Sequence, residues 1–423
     1  NVIMMPIDKM PVVSIKCLIK SGTSSDKKGK SGCTSLLMEL LKKGSGNKNA
    51  RQFSEAIDFL GGSINTGSTP DYSLISAEFL QKDLTSALGF IGDIVMNPHL
   101  PEKEFWIAQR RISAAIQGIR DNPSSLNSYY FQKLFYGEKH PYGSPKNGIL
   151  PELNALKPED ISDFYNHHFV ANNITLIITG RFEIDKAFDT IQKLFSPLKS
   201  GTENKVDRSL LNSLKQNHYY ILDNPDAVQT YIRMGVPGIY QNHSASIPLI
   251  AANSLFGGSF TSRLNQEIRA NCGLTYSISS GFTRMFHQGS FTIATFTKTE
   301  STVEMLTAIF QELDRIHREP PTDNELQDTI RYLQGTYPMS LETADQLSQK
   351  LTHMVLYRLR PTWISDYLTN LQKLTATGLC KTIERYFPVS GYTCVLVGNA
   401  AEVESRIRGM GEITILPSDS IQL

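Results

Sequence analysis

The sequence has 423 residues, too many for one ordinary hydrophobic core, which favours two or three domains. Hydrophobic residues make up 40% and charged residues 20%, a balance that argues against a largely disordered chain. The 42 Lys and Arg against 41 Asp and Glu leave a formal net charge of +1, which excludes a strong overall field for nucleic acid or an anionic membrane. No apolar run approaches the roughly 20 residues that span a bilayer.

The first half of the sequence alternates between β-rich and helical patterns. The chain opens at Asn1 on an apolar stretch, Val2–Met5, that is typical of a strand, so we expect the natural start to lie upstream. The absence of a targeting signal from this sequence is then uninformative. Periodicity then predicts, in chain order, strand Val12–Ile19, a helix near Ser35–Lys43, a Gly61-Gly62 turn, strand Tyr72–Phe79, helix Leu84–Met96 and strand Asn173–Gly180.

The second half repeats this order, which predicts two copies of one domain. Its elements are strand Val228–Met234, helix Ser244–Leu255, Gly257-Gly258, strands Leu274–Phe282 and Ser290–Phe296, helix Val303–Ile316 and strand Tyr392–Gly398. The polar segment Pro197–Lys205 reads as a linker, so we place the domains at 1–205 and 206–423. Each half has an α+β pattern, with helices expected against one face of a mostly antiparallel sheet.

Cysteine and histidine spacing predicts neither a disulfide framework nor a metal site. The five cysteines are odd in number and form no CxxC, so most are expected to be small buried residues. The nine histidines form neither an HxxxH pair nor an HExxH motif, and surface or capping roles are expected for them.

One segment nevertheless has the spacing of a metal-binding helix. Residues 32–45 read Gly-Cys-Thr-Ser-Leu-Leu-Met-Glu-Leu-Leu-Lys-Lys-Gly-Ser. This run resembles the zinc-binding helix of the M16 peptidases (pitrilysin, insulinase, mitochondrial processing peptidase), whose frame is Gly-x-x-His-x-x-Glu-His-x-x-x-x-Gly-Thr. In that frame two His at i and i+4 bind zinc and the Glu activates a metal-bound water. Here the three positions hold Ser35, Met38 and Glu39.

The family's third ligand is also missing. It is a Glu on a later helix, and the matching run Arg111–Pro123 places Ala115 at that position. The resemblance therefore implies that this chain holds no catalytic metal, since a single carboxylate cannot supply a three-ligand zinc site. Considered alone, residues 35–43 also fit an ordinary amphipathic core helix.

Further matches in the same order extend the resemblance over nearly the whole chain. Gly61–Thr66 resembles the family's Gly-Gly-x-x-Asn-Ala strand, and Leu134–Gly143 resembles its His-Pro-Tyr-Gly loop. The family fold is a pair of repeated LuxS/MPP-like α/β domains. The resemblance implies that Gly62 and Asn65 contact substrate. Edges near 63–66 and 277–280 could pair with extended peptide, or could be ordinary strand ends.

The most specific match lies in the second half. Residues 257–276 read Gly-Gly-Ser-Phe-Thr-Ser-Arg-Leu-Asn-Gln-Glu-Ile-Arg-Ala-Asn-Cys-Gly-Leu-Thr-Tyr and resemble the M16 element that carries an Arg and a Tyr seven residues apart. The pair here is Arg269 and Tyr276, with Gly273 expected to end the helix. In the family these side chains donate to substrate carbonyls and to the developing oxyanion. A surface ion pair and a packed aromatic are the alternative roles, and Arg263 is expected to be structural.

These resemblances imply the non-catalytic subunit of a heterodimeric M16 peptidase, with no cofactor of its own and zinc in a partner that carries His-x-x-Glu-His. The short segment Phe256–Ser259 favours a bacterial-type heterodimer over the mitochondrial processing peptidase, whose non-catalytic subunit has a long glycine-rich loop near this position. From the family resemblance and the start of the chain we expect a location in the bacterial periplasm or cell envelope. Three alternatives stay open. They are a structural or scaffold homologue, a peptide-binding module working as a homodimer, and an enzyme of unrelated chemistry, which no motif supports.

Overall fold

The computed structural model describes residues 1–202 and 208–423. The strands are β1 Val2–Pro6, β2 Val12–Ile19, β3 Gly44–Ser45, β4 Lys48–Asn49, β5 Ser63–Ser68, β6 Ser73–Leu80, β7 Ile174–Gly180, β8 His218–Asp223, β9 Gln229–Pro237, β10 Ile278–Phe282, β11 Ser290–Lys298, β12 Thr393–Gly398 and β13 Glu412–Leu416.

The α-helices are α1 Cys33–Leu40, α2 Ala50–Phe59, α3 Leu84–Met96, α4 Glu102–Gln117, α5 Pro123–Tyr136, α6 Leu150–Ala155, α7 Pro158–His168, α8 Ile184–Phe195, α9 Ser246–Asn253, α10 Thr302–Arg318, α11 Asp323–Met339, α12 Ala344–Leu356, α13 Asp366–Gln372, α14 Ala376–Tyr386 and α15 Ala400–Ile407. Two π-helical segments, Ser254–Gly258 and Asn265–Asn271, lie in the second half. In the described parts of the chain, no helix is both long and apolar enough to cross a membrane.

The first unit contains residues 1–117, 338–360 and the described part of 144–207. Its five-stranded sheet has the order β1-β7-β2-β6-β5. Only the β1–β7 pair is parallel, and the other pairs are antiparallel. The strand β5 therefore forms one edge of this sheet, as expected for residues 63–66.

The second unit contains residues 118–143, 361–423 and the described part of 208–337. Its sheet has the order β10-β11-β9-β12-β8-β13, with β8 pairing in parallel with both β12 and β13. If β1 is matched to β8, β2 to β9 and β7 to β12, the two sheets have the same order, and β13 is added at one edge. This confirms the predicted repeat and the mostly antiparallel α+β fold.

Each unit includes one helix from the other half of the sequence. In the first unit α12 packs on β2 and β7. There the amine of the buried Lys16 binds the Asp345 carboxylate at 2.5 Å, and the Ser14 and Ser348 hydroxyls lie 3.1 Å apart. The opposite face of β2 carries the fully buried Val13, so both faces of this strand are covered.

The second unit shows the same arrangement with α5 on β9 and β12. The Asn127 amide donates to the carbonyls of Tyr231, at 3.1 Å, and Val395, at 2.7 Å. A Cβ on Gly235 would lie 2.6 Å from the Phe131 ring, so α5 packs directly on the backbone of β9. The expectation of helices on one face is therefore wrong for the centre of each sheet, because a helix distant in sequence covers the second face.

The compact units thus differ from a simple division of the sequence into halves. The predicted boundary at residue 205 lies outside the described residues, and the domains 1–205 and 206–423 stay a prediction. The sequence patterns located most strands of both sheets. They did not single out β8 and β13, two adjacent strands of the second sheet.

Candidate functional site

The helix α1 begins where two backbone constraints meet. Gly32 has φ +91°, a conformation that favours glycine, and a Cβ there would lie 2.6 Å from the Asn147 carbonyl oxygen. The carboxylate of Asp26 accepts from the N–H groups of Gly32, at 2.8 Å, and Thr34, at 2.9 Å. At the other end Gly44 has φ +106°. The two glycines of the motif therefore fix the ends of the α1 segment whether or not a metal is bound.

The four degenerate zinc-motif positions come together in the first unit. Ser35, Met38 and Glu39 of α1 and Ala115 of α4 line one cavity of about 410 Å³. Ser35 and Glu39 are one helical turn apart and both half-buried, Met38 is buried, and Ala115 is exposed. The positions selected by the resemblance to the family motif are therefore close in space.

The one carboxylate that lines this cavity is paired with an arginine. Arg111, one turn before Ala115 on α4, forms an ion pair with Glu39. The Ser35 hydroxyl donates to the Lys146 carbonyl at 2.7 Å. Neither Arg111 nor Lys146 was identified from the sequence as part of the site. The i,i+4 relation of Arg111 to Ala115 was the available signal, but the pairing with Glu39 depends on how α1 and α4 pack.

The donors in this cavity do not fit a catalytic zinc ion. Zinc sites in peptidases use three nitrogen or carboxylate ligands, whereas this set offers one carboxylate, already paired with a guanidinium, and a weakly coordinating hydroxyl. The Met38 side chain is buried, and Ala115 has no donor atom. Among the described residues, no group of three or more His, Cys, Asp or Glu side chains could hold a metal ion.

The two residues expected at the substrate-binding edge differ in their surroundings. Asn65 is exposed on β5, an edge of the sheet, and its neighbours Thr66, Gly67 and Ser68 line the cavity. A Cβ on Gly62 would lie 2.2 Å from the Phe79 ring, so close packing already accounts for this glycine. The structure places β5 beside the cavity, and substrate contact by either residue stays a prediction.

Arg269 and Tyr276 lie in the second unit, on a π-helical segment and on the loop that follows it. Arg269 is half-buried on the π-helical segment 265–271, and Tyr276 is 87% exposed two residues before β10. Gly273 has φ +65°, and the N–H of Leu274 donates to the Ile268 carbonyl at 3.1 Å, which confirms the expected glycine end of the helix. Short π-helical segments occur frequently at functional sites.

The contact of Arg269 is aromatic rather than ionic. The centre of its guanidinium lies 4.5 Å from the centroid of the Phe260 ring. Among the described residues, no hydrogen-bond acceptor or carboxylate is paired with this guanidinium. Its N–H groups are therefore available for a ligand.

Arg263 is on the same sequence element but is held differently. Its guanidinium donates twice to the Glu325 carboxylate, at 3.0 Å each, and once to the Glu319 carbonyl at 2.8 Å. Its side chain is only 12% exposed. This geometry supports the expected structural role, since three of its five N–H donors are already occupied.

The loop that resembles His-Pro-Tyr-Gly lies in the second unit and contains a histidine pair. The His140 and His287 ring centroids are 5.8 Å apart, and the Tyr142 hydroxyl accepts from the backbone N–H of His287 at 2.9 Å. Burial, and then the neighbouring His287, lower the pKa of His140 to about 4. Burial also lowers the pKa of His287. Both rings are therefore neutral near pH 7.

Two models of a single peptidase family match the chain. The first, described as insulinase (peptidase family M16), matches residues 2–139, and the second, described as the peptidase M16 inactive domain, matches residues 155–333. A similar bacterial protein, an uncharacterized zinc protease of Rickettsia bellii, is 25% identical over 398 residues, which cover 92% of each chain.

Two solved structures have the same fold. The peptidase M16 inactive domain from Pseudomonas fluorescens matches with a TM-score of 0.88 and 22% identity, over 94% of this chain and 95% of that one. A protease from Helicobacter pylori matches with a TM-score of 0.85 and 19% identity, over 94% and 96% of the two chains. At these identities the likeness to the solved structures concerns the fold alone.

Proposed function

Because this chain belongs to the M16 peptidase family, we propose that it is the non-catalytic, peptide-binding subunit of a heterodimeric zinc peptidase. One contrast carries the proposal. The positions of the family's zinc ligands line a cavity with no zinc-ligand set, whereas the Arg and Tyr of its second element are present and accessible. A separately encoded M16 partner would contain His-x-x-Glu-His and the zinc.

The chemistry of Arg269 and Tyr276 suits the binding of a peptide carbonyl. A guanidinium donates in a fixed planar fork, and a phenol hydroxyl donates a single hydrogen bond, so the two can hold a carbonyl oxygen and stabilise the charge that develops on it. The partner's zinc would supply the activated water. The observations that support these roles are the exposure of Tyr276 and the unpaired N–H groups of Arg269.

The edge strand β5 could bind the extended part of the same substrate. An extended peptide adds to a free strand edge through main-chain hydrogen bonds, which provide affinity with little dependence on sequence. The exposed side chain of Asn65 on β5 would then contact the peptide.

We also propose that the complex lies in the bacterial periplasm or cell envelope. Cell fractionation followed by detection of this chain with an antibody would test that location.

The test is a peptidase assay on the native complex, co-purified through this chain and compared with the isolated chain. We expect chelator-sensitive activity only in the complex, and no stoichiometric zinc in the isolated chain. Arg269→Gln and Tyr276→Phe should each lower kcat by about 10²–10³-fold, the usual effect of losing one oxyanion donor. The matched control is Arg331→Gln, which removes an exposed arginine that pairs with Asp328.

Three results would contradict the proposal. Chelator-sensitive hydrolysis by the isolated chain would show that it is catalytic itself. Full activity of the complex with Arg269→Gln and Tyr276→Phe combined would favour the scaffold alternative. Recovery of the chain only as a homodimer that binds peptide without cleaving it would favour the peptide-binding alternative.

A further inference from the structure

We propose that Phe260 is a positioning residue for Arg269, holding the guanidinium by its face so that its N–H edge stays free for a peptide carbonyl. The inference deepens the proposed function and rests on it for its catalytic consequence. Its structural part concerns this chain alone. The two parts can therefore be tested separately.

The exposed side chain of Phe260 lies against the guanidinium of Arg269. The ring is 74% exposed, so burial of its own apolar surface contributes little to stability. Its defined contact is with the Arg269 guanidinium, 4.5 Å from the ring centroid. Attraction between a cation and an aromatic face operates at this distance and persists at exposed sites. This contact with the arginine is the observation on which the proposed positioning role rests.

The segment that carries Phe260 is fixed at both sides of the ring. The Asn265 amide donates to the Ser259 carbonyl at 3.2 Å and to the Ile278 carbonyl at 3.0 Å. The N–H of Ser262 also donates to the Ser259 carbonyl, at 3.2 Å. The side-chain amide of Asn265 thus links the backbone before Phe260 to the first residue of β10. A ring on a fixed backbone can limit the orientations of the arginine that lies against it.

The comparison with Arg263 shows why a ring suits this role. A carboxylate holds Arg263 in place, but it occupies the same N–H groups that a ligand would need. An aromatic face binds the flat side of the guanidinium and leaves its edge unoccupied. An arginine that must be both ordered and available is therefore better held by Phe260 than by an acidic side chain.

The first experiment measures the chemical shift and the motion of the Arg269 side chain in the isolated chain. In ¹⁵N-arginine-labelled protein, the Nε–Hε signal of Arg269, assigned by its loss in Arg269→Gln, should show the ring-current shift expected beneath an aromatic face. Phe260→Leu should remove that shift and increase the motion of the side chain, whereas Phe260→Tyr should preserve both. The Arg263 signal should not change and serves as the internal control. An Arg269 signal that is the same in wild type and Phe260→Leu would overturn the proposal.

The second experiment uses the assembled peptidase. Phe260→Leu should lower kcat/KM by about 2–5-fold, as expected for the loss of an exposed cation–π contact, and Phe260→Tyr should restore it. In the Arg269→Gln background Phe260→Leu should cause no further loss, because the ring acts through the arginine. Losses that multiply would instead assign Phe260 an independent role and overturn the inference. If Arg269→Gln itself has no effect, the proposed function fails, and the Nε–Hε measurement still decides whether Phe260 orders the arginine.

Discussion

Arg111 and Arg269 lie in two different sequence elements of the family, and their guanidinium groups have different kinds of partner. Arg111 pairs with Glu39 in a cavity of the first unit, where the residues that should bind a metal are replaced. Arg269, in the second unit, rests on an aromatic ring and keeps its hydrogen-bond donors free. A cation whose partner is built into the fold contributes to structure, whereas one held without an acceptor is available to a ligand. Under the proposed function, this difference distinguishes a metal site that is absent from a peptide-binding site that is present.

The largest expected effect comes from restoring the missing ligands. The variant Ser35→His, Met38→Glu, Glu39→His and Ala115→Glu should change zinc content after dialysis from none to one equivalent per chain, measured by metal analysis. The reason is that these positions already line one cavity. The control with only Ser35→His and Glu39→His should bind far less, because two ligands do not complete the site. A folded four-substitution variant that takes up no zinc would show that the cavity itself, and not only its side chains, has diverged.

Acid should destabilise the histidine pair of the second unit. The pKa of His140 falls to about 4 in the folded state, whereas an unfolded histidine has a pKa of about 6.5. The unfolded chain therefore binds the proton first, and stability present above pH 6.5 is lost as the pH falls towards 4. We expect a loss on the order of 2 kcal/mol from this residue, measured by chemical unfolding between pH 7 and 4.5.

The variant His140→Gln tests the source of that loss. It should flatten the dependence of unfolding free energy on pH over this interval, even if it lowers stability at pH 7. His168 of the first unit, whose pKa is also lowered to about 4 by burial, should leave part of the dependence in place. An unchanged slope in the variant would contradict the assignment to His140.

The smallest expected effects are the stability changes caused by replacing Arg111 or Arg269 with alanine, and only the second replacement should change activity. Arg111→Ala leaves the half-buried Glu39 without its partner and should lower the free energy of unfolding by about 1 kcal/mol, with no effect on the activity of the complex. Arg269→Ala should lower stability by about 0.5 kcal/mol or less while reducing activity strongly. Equal effects of both substitutions on activity would remove the distinction between the two arginines.

How much the sequence predicts depends on whether the signal is local. Alternating patterns located β2, β6, β9 and β11, because strand periodicity depends on neighbouring residues. Arg269, Tyr276 and the degenerate zinc positions were identified by the resemblance to M16 motifs, which are also local in sequence. Helix periodicity then explains why Ser35 and Glu39 lie on one face.

The missed features depend on tertiary contacts. The Glu39–Arg111 pair requires α1 and α4 to pack together, and the contact between Phe260 and Arg269 requires the loop before the π-helical segment to fold back. Ser348 on α12 is a buried polar residue, and a buried hydroxyl needs hydrogen-bond partners, but the sequence does not show that it is buried. Nothing local shows that these partners include Ser14, more than 300 residues earlier.

The helices α12 and α5, each packed on the sheet of the unit formed mainly by the other half of the sequence, also affect folding during translation. The sheet of the first unit is complete in sequence once residue 180 has been synthesised, yet α12, which covers β2 and β7, does not exist until residue 356 has been added. During translation the face of β2 that carries Lys16 therefore stays uncovered until Asp345 has been synthesised. A ribosome-bound chain that ends near residue 200 would expose that surface to chaperones. A gene split between the two halves would leave each product without one of its covering helices.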